Sequence, residues 1–436
     1  MSGESDAPVV TGARCEVCGT TVDFGASLVF GCPNSSAADR HHVVRFESDV
    51  VPFRPTGDPN PFLAYRRWLA VDAFGERVGI DASTRARIIA DLDAAVARVA
   101  GTGFRRTPMV RADRLSDALG FGDRGGVWVK DETQNVAGSH KARHLFTELV
   151  HLVTAERAGV APWSSPAYRP PLAIASCGNA AVAASTLAAA VDWPIAVHVP
   201  VAADDTVLAM LDQLGADVRV CERRATDPAG DPCVLRFREA VVDGAVPFGV
   251  QGPENMWCLD GGRTIGWEMT DEIAAQGRMF DRIFVQVGGG AFASCVGASL
   301  RDSGVHPRLH AVQAEGCAPL ARAWERALTT GGAKGAARRW RECMWPWEST
   351  PVSVADGILD DETYDWAGVV EAMADTGGSP VVAPEAVVVE AHRLARDTTD
   401  IDVSPTGSAG LAGLVAIRGE VGDDECVAVV FSGIRR

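Results

Sequence analysis

Residues 126–150, GVWVKDETQNVAGSHKARHLFTELV, hold the pattern that decides the fold. An apolar run ends at Lys130, a polar loop follows, and Gly138 and Ser139 prepare a helix whose apolar residues recur at helical spacing, so that Lys141 lies in its first turn. A buried strand that feeds a helix through a short loop is the building unit of a parallel α/β sheet. The unit recurs along the chain. Apolar runs at 126–130, 172–175, 195–199, 218–221, 282–287, 309–313 and 426–431 alternate with helical stretches, after helices expected over 61–74 and 83–99. These runs are rich in Val, Ile and Ala without clean polar alternation, as expected for strands covered on both faces. The expectation is an α/β protein with two doubly wound parallel-sheet lobes, 58–262 and 263–436. They follow a small cysteine-containing segment, 1–57, that ends in the loop signal PTGDPNP. The stretch 331–365, which begins GGAKGAARRWRECMWPWESTP, breaks the rhythm and reads as an excursion near the site or a subunit contact.

Composition narrows the function. With 436 residues and 47% hydrophobic content the chain can build substantial cores. A net charge of −16 with no basic cluster argues against nucleic acid or an anionic membrane as partner, which leaves a small molecule. The first residues, MSGESDAPVVTGARC, lack the basic and apolar blocks of a leader, and no uninterrupted apolar stretch is long enough to span a bilayer, so a cytoplasmic protein is expected. Eleven scattered cysteines suit reduced thiols better than a disulfide framework. Only three lysines occur, Lys130, Lys141 and Lys334, which leaves few places for chemistry that needs a primary amine.

Four stretches carry chemistry. At Lys141 the positive end of the helix dipole disfavours an ammonium, which suits a lysine acting as a neutral nucleophile toward an aldehyde. In AIASCGNAA, residues 173–181, a strand turns at Gly178 into a helix; the N–H groups of Ser176, Cys177 and Gly178 can hold a carboxylate, and Asn179 can donate to a phenolic oxygen. In IFVQVGGGAFASCVGASL, Gly288, Gly289 and Gly290 join a strand to a helix and let the backbone wrap a phosphate. That loop lacks the lysine of a P-loop and the spacing of a dinucleotide fingerprint, so ATP and NAD are poorly supported. In CVAVVFSGIRR an apolar strand delivers Ser432 at its carboxyl end, the edge where open α/β sheets bind ligands. Each stretch taken alone also fits a plain strand-to-helix or strand-end connection.

Taken in order, these stretches resemble the fold-type II pyridoxal-phosphate enzymes, over about residues 60–436. Within that group the chain is most similar to threonine synthase, through Thr107-Pro108, the Cys177-Gly178-Asn179-Ala180-Ala181 turn, Ala314-Glu315-Gly316-Cys317-Ala318-Pro319-Leu320 and Pro405-Thr406-Gly407. The resemblance implies a cofactor held between the two lobes, with Lys141 as its covalent anchor and as the later acid and base at the substrate's α-carbon. It assigns Gly288, Gly289, Gly290 and Ala291 to the phosphate, Asn179 to the phenolic oxygen and Ser432 to the ring nitrogen. Ser176, Cys177 and Gly178 would hold the substrate carboxylate, and Ser139 and His140 would line the pocket beside Lys141. A homodimer is implied as well. The activity implied is elimination or replacement at the β- or γ-carbon of a small amino acid. A serine/threonine dehydratase type of ammonia-lyase is one alternative, and a catalytically silent cofactor-binding protein with a docking ribbon is another.

One departure bears on the substrate. Threonine synthases typically carry Gly-Ser-Phe-Lys-Asp-Arg, whereas this chain has Gly138-Ser139-His140-Lys141-Ala142-Arg143. An imidazole in place of Phe and the missing Asp change the charge and protons of the pocket, so phosphohomoserine does not follow from the resemblance. At the N-terminus, Cys15-x-x-Cys18-Gly and Cys32-Pro33 resemble the ribbon that precedes many threonine synthases. Cys15, Cys18 and Cys32, with His41 or alternatively His42 as fourth ligand, would make a structural zinc site without an open position.

Overall fold

The computed structural model describes residues 7–26, 28–228 and 230–436; residues 1–6, the start of the stretch read for a leader, lie outside them. Packing divides the chain into two units. Of the described residues, the first comprises those within 7–106, 135–137 and 141–264, and the second 107–134, 138–140 and 265–436.

In the first unit a four-stranded parallel sheet has the order Asp217–Cys221, Ile195–Pro200, Leu172–Ala175, Val246–Pro247. Its central strands are almost wholly buried, which is why they read as unbroken apolar runs. The helix Lys141–Arg157 belongs to this unit and is buried from Ala142 to Ala155. Close packing against it requires glycine at position 261, since a Cβ there would meet the Arg143 carbonyl. Segment 7–57 is no separate body. Its hairpin, Val10–Cys15 paired antiparallel with Val44–Ser48, packs Phe24 and Phe46 onto Trp257, with ring centroids 6.2 and 5.3 Å away. Val29 accepts a hydrogen bond from the Trp257 indole at 2.8 Å. The expected division at residue 57 therefore follows a change in composition, whereas the packing core runs across it.

In the second unit six strands lie in the order Pro380–Ala383, Arg308–Ala314, Arg282–Gln286, Cys426–Phe431, Gly126–Asp131, Met109–Arg111. All pairs are parallel except the last. The strand Gly126–Asp131, which opened the sequence reading, pairs with the final strand of the chain, Gly126 opposite Cys426 and Asp131 opposite Phe431. Its place is therefore in this unit, although it precedes the whole first sheet in sequence. The helix Pro405–Ala416 lies on this sheet through glycines at three-residue spacing. A Cβ at Gly410 would lie 2.9 Å from Gln286 Oε1 and 3.1 Å from the Phe284 carbonyl, and one at Gly413 would collide with Val312. No helix among the described residues is long and apolar enough to cross a membrane.

Candidate active site

Strand order in the second unit brings several of the candidate residues to one edge. Arg282–Gln286, Cys426–Phe431 and Gly126–Asp131 are parallel neighbours, so their carboxyl ends share one edge. From that edge emerge the glycine loop, Ser432 and the loop that leads toward Lys141. Residues 138–140 are pinned there: Ser139 bridges to Gly433, the Gly138 carbonyl accepts from the Ile434 N–H at 2.9 Å, and the His140 N–H donates to the Ser432 carbonyl at 3.0 Å. Gly138 takes φ +67°, and a Cβ on it would run into Ile434 at 2.7 Å, so glycine is required by both backbone and space. The chain terminus thus holds the residues just before Lys141.

His140 is buried, with its ring 4.5 Å from that of Phe292. Its Nδ1 lies 3.0 Å from the Ser432 carbonyl oxygen, which can only accept, so Nδ1 carries a hydrogen and the neutral ring keeps its lone pair on Nε2. Ser139 is fully buried beside it.

Several helices have side-chain caps that occupy their first N–H groups. Asn60, Asp81, Asp204, Asp231 and Ser404 cap their own helices. Gln313 does the same at long range for Leu320 and Ala321, and Asp260 for Ala70 and Val71. The helices Ala291–Ser303 and Asn179–Ala190 have glycine at the N-cap, Gly290 and Gly178, and no side-chain cap. Their first-turn N–H groups and dipoles suit a phosphate and a carboxylate. Gly178 also has open space where a Cβ would stand. Around it Cys177 is exposed and Ser176 and Asn179 are half-buried.

The excursion seen in the sequence packs onto the glycine loop. The Asp365 N–H donates to the Gly289 carbonyl at 2.8 Å, and a Cβ at Gly288 would collide with the Asp360 carboxylate and the Ile358 backbone. Sequence reading missed Asp360, and it missed Gln286, whose amide donates to Ser432 Oγ at 2.7 Å. For Gln286 a signal existed, a polar residue inside the apolar run IFVQV.

The two lysines near the motif are distinguished by their surroundings. Lys130 is fully buried, its amine 2.7 Å from Glu268 and donating to the Thr107 carbonyl at 2.7 Å. Lys141 is half-buried at the first position of its helix. One turn on, burial first and the Lys141 charge second hold His144 down to about 3, and its Nδ1 faces the Cys258 carbonyl at 2.8 Å. Burial likewise keeps Glu148, further along the same helix, protonated well above the usual carboxylate range.

At the N-terminus Cys15, Cys18, Cys32 and His42 bring their ligand atoms within 4.8 Å of one another. The histidine in this cluster is His42, and His41 is corrected out of the ligand set: the pair leads straight into the strand Val44–Ser48, and neighbouring side chains of an extended chain point opposite ways. Cys18 and Cys32 sulfurs are 3.6 Å apart, and Cys15 Sγ lies 3.3 Å from His42 Nδ1. Zinc–sulfur bonds of ~2.3 Å in a tetrahedron place sulfurs about 3.7 Å apart, so the donor set fits a zinc ion. Burial pushes the Cys15 thiol up to about 12. At Cys18 desolvation is outweighed by hydrogen bonding to Thr20 and Asn34, which brings it down to about 5.

In the second unit the uncapped helix terminus at Gly290 and the strand-end Ser432 fit a phosphorylated ring, and the first unit by itself offers Lys141 at a helix start and the uncapped terminus at Gly178. The chain belongs to the pyridoxal-phosphate dependent enzyme family, whose profile matches residues 101–433, and its two parallel-sheet units have the fold of type II members. It is similar to cysteate synthase of Methanoculleus marisnigri, 26% identical over 275 residues, which cover 60% of each chain. The chain thus spans about three fifths of the length of the curated relatives it matches. Among solved structures it is similar to maize serine racemase (TM-score 0.60, 18% identity, 79% of this chain and 92% of that one). It is also similar to the T.th. threonine deaminase (TM-score 0.60, 21% identity, 80% and 98%). At these identities the likeness concerns fold.

Proposed function

We propose that the protein eliminates or replaces a β- or γ-substituent of a small amino acid. The observation that carries this reading is the common carboxyl edge of three adjacent strands, which bear the glycine loop, Ser432 and the segment entering Lys141. Bound pyridoxal phosphate supplies an aldehyde for an amine and an electron sink for the α-carbon. In this reading Gly288, Gly289, Gly290 and Ala291 hold its phosphate through backbone N–H groups at an uncapped helix, Asn179 its phenolic oxygen and Ser432 its ring nitrogen. The amine of Lys141 anchors it and moves the proton at the substrate's α-carbon. Ser176, Cys177 and Gly178 hold the substrate carboxylate, and His140, with its lone pair on Nε2, can take or return a proton next to Lys141. The matched relatives are named for amino acids, which supports the substrate class. The same reading takes the protein to act as a homodimer and Cys15, Cys18, Cys32 and His42 to hold a structural zinc ion.

The test is a panel of O-activated homoserines and serines offered to the protein loaded with pyridoxal phosphate. Release of the leaving group with a new amino acid or a keto acid is expected, along with loss of the cofactor's visible absorbance band in Lys141→Ala. No turnover and no α-proton exchange with any member, or a band that persists in Lys141→Ala and vanishes in Lys130→Ala, overturns the reading.

A further inference from the structure

Gln286 is the last residue of its strand, two positions before Gly288, and its side chain is buried. Its Nε2 lies 2.8 Å from the Gly407 carbonyl, 3.3 Å from those of Thr406 and Val430, and 2.7 Å from Ser432 Oγ. Three carbonyl oxygens around one end of the amide fix its orientation, because the flipped amide would aim Oε1 at oxygens that cannot donate. With one N–H directed to Gly407, the other points at Ser432 Oγ. The serine oxygen therefore accepts, and its own hydrogen must point elsewhere. Among the described residues it meets no acceptor for that hydrogen. The Ser432 backbone is held in place, its N–H tied to the Gly407 carbonyl at 3.1 Å and its carbonyl accepting from His140. The glycines of Pro405–Ala416 make room for this arrangement: a Cβ at Gly410 would press on Gln286 Oε1.

We infer that Gln286 is a positioning residue that makes the Ser432 hydroxyl a one-way donor and so holds the cofactor's ring nitrogen unprotonated. The inference rests on Ser432 facing that nitrogen, as proposed above. A ring nitrogen that receives a hydrogen bond from a neutral hydroxyl has no counter-charge to retain a proton, and the electron demand of the ring at the α-carbon is lowered accordingly. With Gln286→Glu the logic reverses. A carboxyl group at this place, protonated so as to donate to the Gly407 carbonyl, accepts from Ser432, turns the serine lone pair toward the ring and favours the protonated nitrogen. Gln286→Leu releases the hydroxyl rotor without imposing either direction.

The experiment loads the full chain with pyridoxal phosphate labelled with ¹⁵N in the ring and reads the nitrogen's chemical shift, which separates pyridine from pyridinium without any turnover. Wild type should give the unprotonated signal and Gln286→Glu the pyridinium signal. Gln286→Leu should give an intermediate, pH-dependent signal with cofactor binding about fivefold weaker. The wild-type measurement depends on no variant folding, and a pyridinium signal there overturns the inference. A nitrogen that ignores Ser432→Ala overturns the assignment of Ser432, and the inference with it. A nitrogen that responds to Ser432→Ala but to neither Gln286 variant overturns the inference alone.

Discussion

Lys130 keeps its amine between Glu268, Glu272 and the Thr107 carbonyl, with the Lys130–Glu268 pair fully buried, so removing the cation takes the opposite charge away from a buried carboxylate. Lys130→Met should lower the unfolding free energy of the cofactor-free protein by roughly 3–5 kcal/mol, and Lys141→Ala, at a half-buried helix start, by about 0.5 kcal/mol or less. Urea titrations decide it, and equal midpoints would mean the lysines are not distinguished in this way. The scarcity of lysine made Lys141 legible in the sequence. The partners that disqualify Lys130 were not, because Glu268 and Glu272 come from a helix far along the chain. Two buried histidines predict a pH dependence. Burial holds His151 down to about 3, stacked 4.0 Å from the Trp257 ring, and His144 is equally low. The unfolded chain binds protons at both sites below the ordinary value of 6.5 while the folded chain does not, so stability is full above 6.5 and is lost as pH falls toward 3. At pH 5 each costs about 2 kcal/mol. His310, held down to about 4 mainly by burial, adds to the same slope, so His151→Phe should remove only its own share, about 2 kcal/mol between pH 7 and 5, and an unchanged slope would show that His151 does not titrate on unfolding.

The central strands were readable because burial on both faces leaves a continuous Val, Ile and Ala signature; every strand expected from it is present, although Asp217–Cys221 lies at a sheet edge and is largely exposed. Besides the N-terminal hairpin, Val10–Cys15 with Val44–Ser48, the strands that were missed lie in the two larger sheets and are short or marginal. Met109–Arg111 has three residues, Val246–Pro247 two, and Pro380–Ala383 begins with a residue that lacks a donor, so none sustains a pattern. The glycine run was legible as an anion loop, but its cover was not. Asp360, half-buried in the excursion, stands against Gly288 at the loop proposed for the phosphate. A carboxylate there opposes a phosphate, so Asp360→Asn should tighten pyridoxal phosphate roughly fivefold in a fluorescence titration, for a repulsion of about 1 kcal/mol. Unchanged or weaker binding would place the phosphate elsewhere. The helix Pro405–Ala416 gives a second test at this scale. Gly410→Ala drives a methyl group toward Gln286 and Phe284 and should cost about 1–3 kcal/mol of stability, and wild-type stability would mean the helix can shift on the sheet.

Lobes drawn along the sequence follow chain order, whereas the packing units follow strand pairing. Residues 107–134 belong with the second unit because Gly126–Asp131 finds its partner in Cys426–Phe431, a pairing that no local pattern encodes. The N-terminal segment shows the same limit. Its cysteines announced a metal site, yet what joins the segment to the first unit is Phe24 and Phe46 on Trp257 and the 2.7 Å hydrogen bond from the Met256 N–H to the Phe30 carbonyl, none of which has a sequence motif. The cluster of Cys15, Cys18, Cys32 and His42 closes the long connection between Val10–Cys15 and Val44–Ser48, and that connection carries Phe24 and Phe30. If zinc occupies the cluster, its binding free energy is folding free energy for the segment. Removing it should loosen the cover of Trp257 and lower the thermal midpoint on the order of 5 °C or more. Elemental analysis should find zinc in wild type and not in Cys32→Ser, and a chelator should bring wild type to the variant's midpoint. The ribbon lacks an open ligand position, so the absorbance of bound pyridoxal phosphate at 25 °C should be unchanged by chelation. A midpoint insensitive to the chelator, or zinc retained by Cys32→Ser, would show that the segment is held by its aromatic contacts alone.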